Sequence, residues 1–253
     1  MTSPEALLSV ARKAAEAGAA ELVAKYRGSF NINTKSNEAD YVTDADLASE
    51  TAVRKVLAEL RPNDTVTGEE YDATSSTEAE FYWSIDPLDG TVNFARGLPN
   101  WAVSVGAKNL ATGEWVAGVV HSPILGVTYY AHQGGGAFVD REGQTIKLTG
   151  PIERSTKIVA TGFSYDPTDR LRQFDRLAAL MPNFVDVRRI GAASLDMCMV
   201  ADGTIDAYYE VGIKEWDWAG AMVIAEEAGL NVIRPKFAGD LGVVARDTSV
   251  FIQ

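Results

Sequence analysis

The segment Trp83-Ser84-Ile85-Asp86-Pro87-Leu88-Asp89-Gly90-Thr91 constrains this chain more than any other. A buried strand ends at Ile85 and runs straight into a turn that carries two carboxylates three positions apart. Pro87 removes a backbone donor and fixes one dihedral, and Gly90 permits a tight turn. Asp86 and Asp89 therefore converge with little freedom left to lose. Converging carboxylates repel one another unless they are protonated or bound to a cation. Oxygen ligands with no His or Cys beside them suit Mg²⁺ or Mn²⁺ better than zinc, and the carbonyl of Leu88 is a further hard oxygen. Thr91 then opens a short helix whose N–H groups suit a phosphate. Taken alone, the segment reads equally well as an Asp-Pro turn capping that helix.

Further acids stand at comparable places. Gly68-Glu69-Glu70 follows a short strand at Thr65–Thr67, Asp44 and Asp46 open a helix, and Trp216-Asp217-Trp218 opens another after Tyr208-Tyr209-Glu210. Each has an ordinary explanation. Thr43 with Asp46 makes a capping box, Glu69 and Glu70 fit solvated loop charges, and Asp217 fits a first-turn acid answering the helix dipole. Their joint arrangement with Asp86 and Asp89 is what argues for more.

The remainder of the chain reads as alternating helices and strands. Ser3-Pro4-Glu5 starts a helix that runs to about Tyr26, residues 31–40 form a loop or loose hairpin, and a second helix spans about 43–60. Strands follow at 65–67, 81–85, 101–108, 115–121, 127–131 and 137–140, with Gly134-Gly135-Gly136 as a hairpin turn. Beyond a boundary near 144–150, strands at 157–161, 184–187 and 205–209 alternate with helices at about 168–181, 192–201 and 216–228. That alternation predicts a layered α/β unit. The 253 residues thus divide into an N-terminal α+β half, 1–145, with an antiparallel sheet and most of the acids, and a C-terminal α/β half, 146–253, that supplies Asp217.

The 23 basic and 35 acidic residues leave a formal charge of −12, which argues against a nucleic-acid or anionic-membrane partner. A single cysteine, Cys198, excludes an intrachain disulfide and a Cys-based zinc site. With no signal peptide and no long apolar run, the chain reads as soluble and cytoplasmic. Cys198 sits among apolar neighbours as a buried small hydrophobe. His121 and His132 fall on strands as structural or exposed residues rather than catalytic ones, Glu226-Glu227 is a solvated helix face, and Arg188-Arg189 is a surface salt bridge before an anion contact.

Together these motifs resemble the inositol monophosphatase family of Mg²⁺-dependent, lithium-sensitive phosphatases. The resemblance rests on Lys35 with Asp46, Gly68-Glu69-Glu70, the aspartate signature from Trp83 to Phe94, Gly191-Ala192-Ala193-Ser194, and Trp216-Asp217 with Ala219-Gly220. It implies an αβαβα sandwich like that of fructose-1,6-bisphosphatase, two or three Mg²⁺ ions, and a homodimer. It implies that Glu69, Asp86 and the Leu88 carbonyl hold one metal, and that Asp86, Asp89 and Asp217 hold another. Asp46, Thr91 and Glu69 then activate water, with Lys35 on a loop closing over them. Gly90 and Thr91 bind phosphate through their N–H groups, while Asp89, Ala193, Glu210 and Asp217 face the polyol. Inositol 1-phosphate is the first substrate to expect. Histidinol phosphate, fructose 1,6-bisphosphate and adenosine 3′,5′-bisphosphate stay open, because Lys214 departs from some inositol-type members. A regulatory protein without turnover is a third reading, disfavoured because every metal carboxylate and Thr91 are retained.

Overall fold

The computed structural model describes residues 2–29, 31–34, 41–74, 76–237 and 239–252. Helix α1 (Pro4–Lys25) starts as the sequence predicts, with the Ser3 hydroxyl accepting from Ala6 N at 3.2 Å. Strands β1 (Ile32–Thr34) and β2 (Tyr41–Thr43) form an antiparallel pair. Helix α2 (Asp44–Leu60) follows at once and is closed by a Thr43–Asp46 capping box. Val53 and Leu57 on α2 pack with Leu7, Ala11, Ala14 and Leu22 of α1, burying apolar stripes that neither helix covers alone.

Seven strands make the first sheet: β3 (Thr65–Gly68), β4 (Phe81–Asp89), β5 (Ala102–Asn109), β6 (Trp115–Ser122), β7 (Val127–His132), β8 (Gly136–Arg141) and β9 (Gln144–Lys147). Their order follows the chain, and only the β3–β4 pair is parallel. A short helix, α3 (Thr91–Ala95), leaves the end of β4. The second sheet has the order β11 (Asp186–Arg188), β10 (Ile158–Thr161), β12 (Ala207–Val211), β14 (Leu241–Ala245), β13 (Asn231–Ile233), parallel among the first three and antiparallel beyond. Helices α4 (Pro167–Leu180), α5 (Ala193–Ala201) and α6 (Glu215–Glu227) complete the chain.

The layers run α1 and α2, the seven-stranded sheet, α5 and α6, the five-stranded sheet, then α4. Each sheet is therefore covered on both faces, and the αβαβα sandwich implied by the resemblance is the observed architecture. The central layer is the most apolar: α5 and α6 are buried on nearly every side, as helices between two sheets must be. Close approach there depends on glycine. A Cβ on Gly118 of β6 would lie 2.1 Å from the Gly220 carbonyl of α6, and one on Gly106 of β5 would lie 2.8 Å from Ala219. Through those contacts the first sheet carries α6, and with it Asp217.

Several expectations need correction. Asp86 and Asp89 do not lie on a turn after the strand. β4 continues through Asp89, and its pairing with β5 shifts register between Asp86 and Asp89, a bulge at Pro87 where the ladder tolerates a missing N–H. The strand expected at 205–209 runs Ala207–Val211, so Glu210 lies inside it. Gln144–Lys147, at the expected boundary, is an edge strand. Glu227 is not a solvated charge: its carboxylate accepts the amides of Gly134 and Gly136, both at 2.8 Å.

Candidate active site

Glu69, Asp86, Leu88, Asp89, Gly90, Thr91, Ala193, Glu210 and Asp217 line one cleft of roughly 1510 Å³ at the C-terminal end of β4. Three separate parts of the chain meet there: the Gly68-Glu69-Glu70 corner at the end of β3, the β4 bulge with α3, and the α5, β12 and α6 ends from the second half.

The bulge is held from both sides. Asp86 Oδ1 accepts from Leu88 N at 3.0 Å, and Ser49 Oγ of α2 donates to the Pro87 carbonyl at 2.8 Å. Gly90 follows with φ +93°, a left-handed conformation that glycine adopts without penalty. Its α-carbon faces the Asn100 carbonyl so closely that a Cβ would sit 2.8 Å away. The turn aims Thr91 back under the bulge, with its hydroxyl 3.1 Å from Asp46 Oδ1 and 3.0 Å from the Leu88 carbonyl. Asp46 Oδ2 accepts from Thr43 N and Oγ1 at 2.8 and 2.6 Å. The capping box and the contact to Thr91 are thus shared between the two oxygens of one fully buried carboxylate.

Asp89 reaches across to the other half of the chain. Its carboxylate accepts from Ala193 N, Ser194 N and Ser194 Oγ. The first turn of α5 follows Ala192, which has no capping oxygen of its own, so Asp89 takes that office. Asp217 Oδ2 accepts from Lys214 N, closing the first turn of α6. Glu210 accepts from Tyr208 Oη at 2.8 Å and packs against Gly162.

Burial and mutual repulsion dominate the electrostatics. Burial raises the Asp86 carboxyl well above the ordinary range, and the charges of Glu69, Asp89 and Asp217 push it further. Asp217 is raised well above its ordinary value by burial and then by Asp89 and Glu69. Asp89 is raised by burial against the opposing pull of its Ser194, Ala193 and Leu195 donors. Glu210 is pushed up to about 7 by burial, with Tyr208 and Arg189 opposing. Hard oxygen donors that repel one another in this way are a donor set suited to a hard divalent cation. Among the described residues, no three such side chains are drawn close enough to form a finished cation cage. Asp86, Asp89 and Asp217 each turn an oxygen to a neighbouring N–H, which leaves further lone pairs on the same group.

Lys35 lies outside the described residues. Sequence reasoning passes over Ser49 and Glu50, which hold the site from behind, and Asp196, a buried acid in its wall, and it notes Ser194 only as part of the Gly191–Ser194 segment, without a role. Glu50 carries a visible signal, since it shares the buried stripe of α2 with Val53 and Leu57. Arg188 pairs with Asp186 at 2.7 Å as expected, but Arg189 lines the cleft. Trp216 lines it too, while Trp83 and Trp218 are packing walls.

Comparison with known proteins bears on the family and the fold. The model of the inositol monophosphatase family matches residues 3–250. Inositol-1-monophosphatase SuhB of Mycobacterium tuberculosis is 40% identical, covering 96% of this chain and 91% of that one. A protein of Pasteurella multocida named Nus factor SuhB is 35% identical over 88% of this chain and 83% of its own. The crystal structure of the extragenic suppressor protein suhB from Bartonella henselae superposes with a TM-score of 0.86 at 28% identity, covering 97% and 96% of the two chains.

Proposed function

This chain belongs to the inositol monophosphatase family, and on that premise we propose that it hydrolyses the phosphate monoester of a small polyol with Mg²⁺, inositol 1-phosphate first. The observation that carries the proposal is the meeting of Glu69, Asp86, Asp89 and Asp217 in one cleft beside a Thr91–Asp46 hydrogen bond. Glu69, Asp86, Asp89, Asp217 and the Leu88 carbonyl hold the cations, two or three in number, and Mn²⁺ meets the same donors. When bound, such ions neutralise phosphate charge and make water a better nucleophile.

The protein's own groups do the rest. Thr91 Oγ1 takes a proton from the attacking water as its own passes to Asp46 Oδ1, and the capping box holds Asp46 in register for that transfer. Water oxygen bonds to phosphorus, the ester P–O bond breaks, and the departing alkoxide is protonated from solvent, with no phosphoenzyme. The amides of Gly90 and Thr91 face the phosphate. Glu210 and the start of α5 at Ala193 face the polyol hydroxyls, with Asp89 and Asp217 at the boundary between cation and substrate. Retention of every carboxylate and of Thr91 supports turnover over a purely regulatory role.

The working form in this reading is a cytoplasmic homodimer. Leu171 and Phe174, 69% and 50% exposed on one side of α4, supply apolar surface for that contact. Among the described residues no helix is long and apolar enough to cross a membrane.

The test is phosphate release from inositol 1-phosphate, histidinol phosphate, fructose 1,6-bisphosphate and adenosine 3′,5′-bisphosphate, with and without Mg²⁺. Mg²⁺-dependent release fastest from inositol 1-phosphate is expected. Full activity in Asp86→Asn would remove its proposed part in holding the cations, and turnover of histidinol phosphate alone would replace the substrate.

A further inference from the structure

The Gly68-Glu69-Glu70 corner is partly exposed, yet it must present Glu69 to the cleft. What fixes it comes from α2. Glu50, fully buried in that helix, points its carboxylate at the backbone of the corner. Oε2 accepts from Glu70 N at 2.8 Å, and Oε1 accepts from Tyr71 N at 3.3 Å and from Arg54 Nε at 2.7 Å. Arg54 in turn donates from Nη2 to the Tyr71 carbonyl at 3.0 Å. Acid and base four residues apart on one helix therefore clamp donors and an acceptor of the same turn. Gly68 completes the fit: a Cβ there would lie 2.2 Å from Glu50 Oε1.

We propose that Glu50 is a positioning residue for the cation site: it touches neither metal nor substrate, and sets metal affinity by holding the Glu69 corner in place. The inference rests on the reading of Glu69 as a metal ligand. A buried carboxylate is costly unless its lone pairs are used, and the hydrogen bonds this one accepts come from the corner or from the arginine that braces the corner. Asp46, Ser49 and Glu50 then share one task along α2, fixing Thr91, the Pro87 carbonyl and the Glu69 corner in turn. Supporting groups behind metal ligands commonly govern affinity by about 10- to 100-fold.

Glu50→Gln keeps the volume but turns an amide N–H toward backbone N–H or guanidinium donors on one side. Binding of Mn²⁺ to the full-length, metal-free protein is measured by titration calorimetry, and Mg²⁺ dependence by steady-state turnover. About tenfold or greater weakening of Mn²⁺ binding is expected. The Mg²⁺ concentration for half-maximal rate should rise in step, while kcat at saturating Mg²⁺ changes less than about threefold. A role confined to stability would lower the melting temperature and leave Mn²⁺ affinity alone, and that result overturns the inference. If Glu50→Gln does not fold, Gly68→Ala carries the test, since its methyl displaces only the end of the Glu50 side chain; unchanged Mn²⁺ affinity there overturns the inference equally. Wild-type protein that binds no Mn²⁺ would instead overturn the proposed function itself, and this inference with it.

Discussion

Asp89 and Ser194 stand 105 residues apart in sequence, and the carboxylate of one takes both the amide and the hydroxyl of the other. The contact ties the β4 bulge of the first sheet to the first turn of α5 in the central layer. Its donors also favour the charged form of Asp89 against the burial that opposes it. Ser194→Ala removes the hydroxyl and leaves the two amides in place. The expected loss of folding stability is about 1.5–3 kcal/mol, the range for a hydrogen bond to a charged group. Urea denaturation of the metal-free protein measures it, and a loss below 0.5 kcal/mol (roughly the spread for inert surface changes) would mean that the contact is incidental.

Thr91 has one hydroxyl proton and two acceptors within 3.1 Å, Asp46 Oδ1 and the Leu88 carbonyl. Thr91→Ala removes the relay without emptying the cleft of carboxylates. A kcat loss of about 100-fold or more is expected, with KM for inositol 1-phosphate little changed, because proton transfer is required in the transition state and not for binding. Thr91→Ser keeps the hydroxyl and should recover most of the rate. A Ser variant as slow as the Ala variant would argue that the methyl group, and not the proton path, is what matters.

Much of this arrangement is legible before the fold. Ser3-Pro4 and Thr43–Asp46 fix two helix starts by local hydrogen bonding, and alternating apolar residues mark the first sheet because that signal is local as well. The resemblance to a known family supplies the joint reading of acids that, singly, fit caps and loops. What escapes depends on partners remote in sequence or on register. The β4 bulge is invisible to periodicity, since a strand and a strand followed by a turn share the pattern up to Ile85. α5 has no cap in its own sequence, and only the fold brings Asp89 to it. Glu227 looks solvated until the amides of Gly134 and Gly136, some 93 and 91 residues away, fold onto it. Glu50 is the readable exception: an acid on the same stripe as Val53 and Leu57 must be buried, and a buried acid needs donors.

Gly118 offers a separate test of how the layers position Asp217. Its α-carbon meets the Gly220 carbonyl of α6 where a Cβ would be 2.1 Å from the oxygen, and both sides of the contact are backbone. No side chain can swing away, so Gly118→Ala must push α6 off β6. Overpacking of this kind costs about 1–3 kcal/mol, with the upper end expected here. Because α6 carries Asp217, Mn²⁺ affinity should fall along with the melting temperature. A variant that loses stability but binds Mn²⁺ as wild type would show that the start of α6 is held independently of its packing on the sheet.

Glu210 provides a pH signature. In the folded protein burial raises its carboxyl from an ordinary 4.5 to about 7. Between those values the folded state holds a proton that the unfolded state has released, so stability falls as pH rises through the window. Below pH 4.5 both states are protonated and nothing is lost; above pH 7 the full penalty applies. Glu210→Gln keeps the acceptor for Tyr208 Oη but cannot ionise, so its stability lacks this decline. In metal-free protein the variant should gain on wild type by about 3 kcal/mol across that window, at about 1.4 kcal/mol for each pH unit between the two values. Other raised carboxylates, Asp86 and Asp217 among them, tilt both curves, and taking the difference cancels most of their contribution. Urea denaturation at several pH values decides the matter: parallel curves for the two proteins would mean that Glu210 is already ionised at neutral pH and meets the polyol as a full charge.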